Sequence, residues 1–197
     1  YDYFIRDGKL FFNIGDVCGK GIPAALIMSM TQAVFRTVAS KENDPAQIVH
    51  DMNVMASRGN TTGMFATLFV GVLDLSTGLL RYSNAGHEHP LIVTDHKVSV
   101  VKAESNLPIG IDEDKQYNDE KTTVAPGDLI LLYTDGLTEA MNGEKELFGL
   151  QRIIDTICDK DGNAQAFEGP KHLMDTMSNA VSRFVNGAEQ SDDLTIS

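Results

Sequence analysis

Apolar runs broken by turn residues predict most of the strands of this chain. An Asp-Gly pair at positions 7 and 8 separates two such runs within residues 1–17 and is a strong hairpin signal. Residues 64–74 are apolar on both strand faces, which is typical of a strand inside a layered structure. Residues 79–84 are predicted to return antiparallel after a turn. The remaining predicted strands are a hairpin over 91–101, a short strand over 122–124 and a buried strand over 129–133.

Helical periodicity predicts four helices. Apolar residues recur four positions apart from Ile22 to about Ser40 and predict a helix with one apolar stripe. The stripe would consist of Ile22, Leu26, Met30, Val34 and Val38. Asp44 followed by Pro45 predicts the start of a second helix, because Asp is a favourable cap and Pro suits the first turn. Its apolar face would be Ile48, Met52, Met55 and Ala56, and further helices are predicted over 147–158 and from Pro170 to 186–187.

Three predicted strand ends, far apart in sequence, carry acidic residues. Asp16 follows an apolar strand and lies in a glycine-rich loop, Asp135 ends the strand over 129–133, and Asp192 and Asp193 open a last strand. If these strands share a sheet, the carboxylates converge, and clustered carboxylate oxygens suit hard cations such as Mg²⁺ or Mn²⁺. The alternative interpretation is that these acids are ordinary turn residues, because Asp is common in turns.

Composition and charge limit which binding partners and which cellular compartment are expected for this chain. The formal net charge of -12 argues against nucleic acid, whose binding needs Lys and Arg to neutralise phosphates. It also argues against attraction to anionic membranes, and no apolar run approaches the roughly 20 residues that span a bilayer. Two cysteines are too few for a disulfide framework and indicate a reducing compartment. We therefore expect a cytoplasmic domain without membrane contact, whether or not a full-length protein has an anchor elsewhere.

Spacing excludes several other phosphate and metal motifs. The loop over residues 15–21 is not a Walker A loop, because its lysine comes too early and is followed by glycine. Cys18 lacks the arginine in the same loop that a cysteine phosphatase needs. The pair His87 and His89 has no third and fourth ligand at zinc spacing. We interpret this pair as part of a turn whose backbone is set by Gly86 and Pro90, with His87 bonding a neighbouring loop.

Four motifs in a fixed order carry a resemblance to a known family. They are Gly-Asp-Val-Cys-Gly-Lys-Gly-Ile-Pro-Ala-Ala at 15–25, Tyr-Ser-Asn-Ala-Gly-His at 82–87, Tyr-Thr-Asp-Gly-Leu-Thr-Glu-Ala at 133–140 and Asp-Asp-Leu-Thr at 192–195. Together they resemble the SpoIIE/RsbU-type branch of the metal-dependent (type 2C, PPM) protein serine/threonine phosphatases. The resemblance runs from end to end of the chain.

The resemblance implies a fold and a set of site residues. The fold would be α+β, a four-layer α-β-β-α sandwich of two antiparallel sheets flanked by helices. Asp16 matches the catalytic aspartate that bridges two divalent cations, Mn²⁺ or Mg²⁺, and Val17 matches the neighbour that lends a backbone carbonyl. Asp135 and Asp192 match the aspartates that complete the shell of the second cation. The residues expected to support these ligands are Asp2, Gly19 and Asp193.

The resemblance also implies a function, the metal-dependent hydrolysis of phosphoserine or phosphothreonine in a protein, with one alternative left open. The substrate would be a phosphorylated protein, similar to a small anti-sigma-factor antagonist in a bacterial partner-switching pathway, and a homodimer is among the expectations. Residues 1–197 would form a single domain trimmed at both ends, with a sensor or linker upstream. A further acidic residue of the family pattern would lie just before Tyr1, since Asp2 matches only the second acid of that motif. The alternative is a regulatory binding module that keeps the fold but not the catalysis.

Overall fold

The structure is a computed structural model that describes residues 1–58, 60, 63–104, 106–188 and 193–197. The chain divides into two compact units. The first consists of residues 1–87 and 103–124, and the second consists of residues 88–102 and 125–197.

The described elements are, along the chain, two strands, two helices, six strands and three helices. In chain order they are β1 (Asp2–Arg6), β2 (Lys9–Val17), α1 (Ile22–Ala39), α2 (Pro45–Ser57), β3 (Ala66–Asp74), β4 (Leu79–Ala85), β5 (Leu91–Val93), β6 (Val98–Val100), β7 (Glu120–Thr123), β8 (Leu129–Leu131), α3 (Asp135–Thr138), α4 (Gly149–Ile157) and α5 (Pro170–Val185).

The first unit is built on a five-stranded antiparallel sheet in the order β1-β2-β3-β4-β7. The predicted hairpin joins β1 to β2 through Asp7 and Gly8, whose φ angles are 50° and 71°. Left-handed dihedrals at both turn residues match the twist of the flanking strands, which is why Asp-Gly favours this hairpin. β2 and β3 pair along their whole length and place Asp16 opposite Thr67.

Helix α1 contributes to the core of the first unit through a different face from the one predicted from the sequence. Its buried residues are Thr31, Phe35 and Ala39, and these belong to the same core as Phe11 and Leu68. The predicted stripe is wrong over its first half, since the side chains of Ile22, Leu26 and Met30 are 77%, 61% and 66% exposed. A helix that is apolar around most of its circumference has no single periodic stripe to indicate the buried face.

Helix α2 begins where the sequence predicts and is tied to the sheet by its cap. Asp44 Oδ1 accepts the backbone N–H of Ala46 at 2.9 Å, and Asp44 Oδ2 accepts a hydrogen bond from Arg81 of β4 at 2.8 Å. Ile48 and Met52 are buried as predicted, whereas Met55 is 52% exposed. The prediction of the helix is therefore confirmed, and its predicted face is wrong at Met55.

The second unit combines a three-stranded antiparallel sheet, in the order β6-β5-β8, with helices α3 to α5. Residues 193–197 run beside the end of β8, where Leu132 and Ser197 exchange two backbone hydrogen bonds of 2.9 Å. The core contains Leu91, Leu131, Ile153 and Met177. Asn186 ends α5 in the left-handed conformation (φ 46°), as the Asn-Gly pair predicts.

Among the described residues, one helix has the length and composition of a membrane span. This helix is α1, and it meets the criteria for a membrane span by its length and composition only. From the sequence, this segment is predicted as a helix with one apolar stripe and not as a membrane span. The buried core helix of a soluble protein and a signal sequence near the N-terminus pass the same test. Helix α1 is 11% buried and places Phe35 and Ala39 in the core of the first unit.

Candidate metal centre

Asp16 lies near the end of β2, half-buried, where the strand enters the glycine-rich loop. Its N–H donates to Thr67 Oγ1 at 3.3 Å, and its Oδ1 accepts the N–H of Val17 at 3.0 Å. At Gly15, an added Cβ would lie 2.6 Å from the Thr67 carbonyl oxygen, so only glycine permits this approach of β2 to β3. The paired strands therefore fix the backbone that carries the Asp16 carboxylate and the Val17 carbonyl.

The loop after Asp16 turns directly into helix α1. The Cys18 N–H donates to the Phe65 carbonyl at 2.8 Å, and the Cys18 side chain is exposed. Gly19 and Gly21 have φ angles of 102° and 82°, which a residue with a side chain adopts only with strain. Gly19 therefore contributes backbone conformation to the loop.

Asp135 opens the short helix α3, and its carboxylate is oriented inward. Its Oδ1 is buried and has no hydrogen-bond partner within the described part of the chain. A buried carboxylate oxygen without a donor is unfavourable by roughly 1–3 kcal/mol, and more when it is charged, unless another group compensates it. Carboxylate oxygens are the ligands that hard divalent cations prefer. The position of Asp135 therefore fits a divalent cation.

The loop at Asp135 is tied to the end of the chain through Asp193. Thr134 Oγ1 donates to the Asp193 carbonyl at 3.1 Å. At Gly136, an added Cβ would lie 2.2 Å from the same carbonyl oxygen, so glycine is required for this contact. Asp193 thus contributes a backbone contact beside Asp135.

The predicted ligand Asp192 lies outside the described residues. Among the residues that are described, no group of three or more His, Cys, Asp or Glu side chains is arranged to hold a metal ion. The predicted set of Asp16, Val17, Asp135 and Asp192 stays a prediction.

Asp2 has a cationic partner in the structure. Its two carboxylate oxygens accept hydrogen bonds of 2.6 Å from Arg36 of helix α1. The Arg36 guanidinium lowers the pKa of Asp2. In the sheet, Asp2 is opposite Asn13 of β2. This ion pair anchors α1 to the first strand.

Comparison with known proteins assigns the chain to a family. A family model described as stage II sporulation protein E (SpoIIE) matches residues 6–197. The chain belongs to the SpoIIE family. The resemblance carried by the four motifs is thereby confirmed.

Relatives of this SpoIIE-family chain include named phosphatases. It is 31% identical to the phosphoserine phosphatase RsbU of Bacillus subtilis, over 79% of the chain and 48% of RsbU. The chain spans between about a third and a half of the length of the curated relatives it matches first, 34% and 48%. The enzyme class predicted from the sequence, a protein serine/threonine phosphatase, agrees with the name of RsbU as a phosphoserine phosphatase.

Solved structures confirm the fold class. The RsbU and RsbW domains of Rv1364c from Mycobacterium tuberculosis match 99% of the chain and 52% of that structure, with a TM-score of 0.78 and 25% identity. RsbX, solved in complex with magnesium, matches 98% of the chain and 82% of its own, with a TM-score of 0.68 and 15% identity. The α+β class with two antiparallel sheets, predicted for the SpoIIE-family chain, is therefore confirmed.

Glu88 is a residue beside Asp135 that sequence reasoning missed. Thr138 Oγ1 donates to the Asp135 carbonyl at 3.1 Å and lies 3.4 Å from Glu88 Oε1. Burial raises the pKa of Glu88, and the neighbouring Asp135 and Glu139 carboxylates raise it further. In the sequence Glu88 is one polar residue in a loop between two histidines, and no periodicity predicts that it faces Asp135.

Proposed function

We propose that this domain is a metal-dependent phosphatase that hydrolyses phosphoserine or phosphothreonine in a protein. The observation that carries the proposal is the buried Oδ1 of Asp135, which has no hydrogen-bond partner among the described residues, in a chain of the SpoIIE family. An ionised oxygen in that position is stabilised by a cation. A divalent cation of the kind present in the RsbX structure meets that requirement.

In this proposal four residues of the chain supply oxygen ligands, of which Asp16, Val17 and Asp135 lie in the described part of the structure. Asp16, Asp135 and Asp192 would contribute carboxylates to the cations, and Val17 would contribute its carbonyl. Two bound Mn²⁺ or Mg²⁺ ions would lower the pKa of a coordinated water and neutralise charge on the phosphoryl group. The strand pairing at Thr67 fixes the backbone of Asp16, and the close contact at Gly136 fixes the backbone beside Asp135, each within its own unit.

The physiological substrate belongs to the same proposal. By family resemblance, it is a phosphorylated protein similar to an anti-sigma-factor antagonist. The net charge of -12 indicates that recognition of an anionic phosphoprotein relies on the cations and on local contacts, because the domain as a whole repels negative charge.

The direct test is hydrolysis of p-nitrophenyl phosphate and of a phosphoserine peptide, with Mn²⁺ and with a chelator. We expect turnover only when Mn²⁺ is present. A longer form of the protein that begins upstream of Tyr1 is assayed in parallel, because the family pattern places an additional acidic residue there. A folded protein that binds a phosphoprotein without Mn²⁺ and hydrolyses nothing in either form would instead establish the binding module.

Replacing Asp135 by asparagine is expected to raise the stability of the metal-free protein and to lower its Mn²⁺-dependent turnover. The neutral amide removes a negative charge at a half-buried position beside the Glu88 carboxylate, so we expect the metal-free protein to gain about 1 kcal/mol in the free energy of unfolding. The same change removes a ligand, so Mn²⁺-dependent turnover should fall by roughly 100-fold, or about 3 kcal/mol. The measurements are urea unfolding in a chelator and hydrolysis in Mn²⁺.

The matched control for this prediction is Glu144→Gln in the same unit, where the side chain is exposed. It removes one negative charge and should leave both stability and turnover near those of the unchanged protein. An Asp135→Asn variant that is less stable without metal and retains its turnover would contradict the role of Asp135 as a metal ligand.

A further inference from the structure

His87 is a buried histidine that the proposed function does not use. Its side chain lies just beyond β4 and the residue is 7% exposed. Gly86 precedes it with a φ of 74°, and an added Cβ there would lie 3.1 Å from Pro108, so glycine allows the chain to turn at this point. The turn directs His87 back toward strand β3.

Asn84 fixes the backbone of His87 from both sides. Asn84 Oδ1 accepts the His87 N–H at 2.7 Å, and Asn84 Nδ2 donates to the His87 carbonyl at 2.9 Å. Asn84 is 3% exposed, so both bonds are shielded from water. Buried side-chain bonds of this kind hold one conformation, because breaking either leaves an unpaired polar group.

The imidazole of His87 reaches the strand partner of Asp16. His87 Nδ1 lies 2.8 Å from Thr67 Oγ1. The same hydroxyl oxygen lies 3.3 Å from the Asp16 nitrogen, whose N–H it accepts, and 3.4 Å from the Asp16 carbonyl oxygen. A single hydroxyl group therefore connects the buried imidazole to the main chain of Asp16.

We propose that His87 is a positioning residue for the metal centre, acting through Thr67 on the backbone of Asp16. This inference rests on the proposed function. The Thr67 hydroxyl contacts both the N–H and the C=O of Asp16, so it restricts backbone rotation on either side of the Asp16 Cα. That rotation orients the Asp16 carboxylate and the Val17 carbonyl that follows it, and both are oxygen ligands in that function. By fixing the Thr67 hydroxyl, His87 restricts this rotation and presents the two oxygens in one geometry.

The test compares variants that remove the contact with variants that keep it. His87→Leu and Thr67→Val remove the imidazole nitrogen and the hydroxyl, whereas His87→Asn and Thr67→Ser retain a polar atom near each position. The readout is Mn²⁺ affinity, measured by the electron paramagnetic resonance signal of free Mn²⁺. Groups that orient metal ligands typically change metal affinity by roughly 10–100-fold, and we expect that weakening for His87→Leu and for Thr67→Val.

Three further results are expected from a positioning role. His87→Asn and Thr67→Ser should bind Mn²⁺ within about threefold of the unchanged protein. The double variant His87→Leu with Thr67→Val should bind no more weakly than the weaker single variant, because both remove one connection. Hydrolysis of p-nitrophenyl phosphate by His87→Leu should recover at saturating Mn²⁺, since the residue does not touch the reacting atoms. His96→Leu, which replaces an exposed histidine, is the control and should change nothing.

The outcomes separate this inference from the proposed function. If the unchanged protein binds Mn²⁺ and hydrolyses substrate while folded Thr67→Val binds Mn²⁺ equally well, the inference is overturned and the function stands. Additive losses in the double variant would also overturn it. If the unchanged protein binds no Mn²⁺, the proposed function fails and this inference fails with it. Thr67→Val is nearly isosteric, so it decides the question even if His87→Leu does not fold.

Discussion

Replacing Asp16 by asparagine is expected to lower Mn²⁺-dependent hydrolysis of a phosphoserine peptide by on the order of 1000-fold, or about 4 kcal/mol. Asparagine retains an oxygen that accepts the Val17 N–H, so the local backbone should be unchanged. What it loses is the negative charge that Asp16 would supply to bound cations in the proposed function. The measurement is kcat/KM at several Mn²⁺ concentrations, together with thermal unfolding to show that the variant is folded.

The control for Asp16 is Asp7→Asn, in the hairpin that leads into the same strand. The Asp7 side chain is 86% exposed, and asparagine is well tolerated at its left-handed φ of 50°. We expect turnover by this variant to equal that of the unchanged protein. Substantial activity in folded Asp16→Asn would remove Asp16 from the centre and would leave the proposed mechanism without one of its carboxylate ligands.

Replacing Phe35 by alanine is expected to destabilise the protein by about 3–5 kcal/mol. Phe35 is completely buried in helix α1, and its ring meets the Phe4 ring edge-on with centroids 5.8 Å apart. Removing the ring leaves a cavity among residues that cannot collapse fully, and this loss exceeds the small gain in helix propensity of alanine. Urea unfolding of the two proteins measures the difference.

Met30→Ala on the same helix provides the comparison. Met30 belongs to the stripe predicted from periodicity but is 66% exposed, so its loss should change the free energy of unfolding by no more than about 0.5 kcal/mol. A larger loss at Met30 than at Phe35 would mean that the predicted stripe, and not the face seen in the structure, is buried.

Local sequence alone determined the elements and the identity of the family. The Asp-Gly turn, the cap at Asp44 and the Asn-Gly end of α5 act over a few residues, so their outcome can be deduced from residue types. The four motifs carry the family resemblance because their order and spacing are properties of the chain. The same motifs predict that Asp16 and Asp135 are metal ligands, and this stays a prediction.

Tertiary structure decided which surfaces are buried and which groups support the candidate centre. Helix α1 is apolar around most of its circumference, so only packing against β2 and α2 selects Phe35 over Met30 for the core. The contact from His87 to Thr67 joins residues that are 20 positions apart, and within the described part of the chain no residue donates a hydrogen bond to Asp135 Oδ1. Periodicity and motif spacing describe neighbours along the chain, whereas burial and hydrogen bonding at such positions depend on strands that meet only after folding.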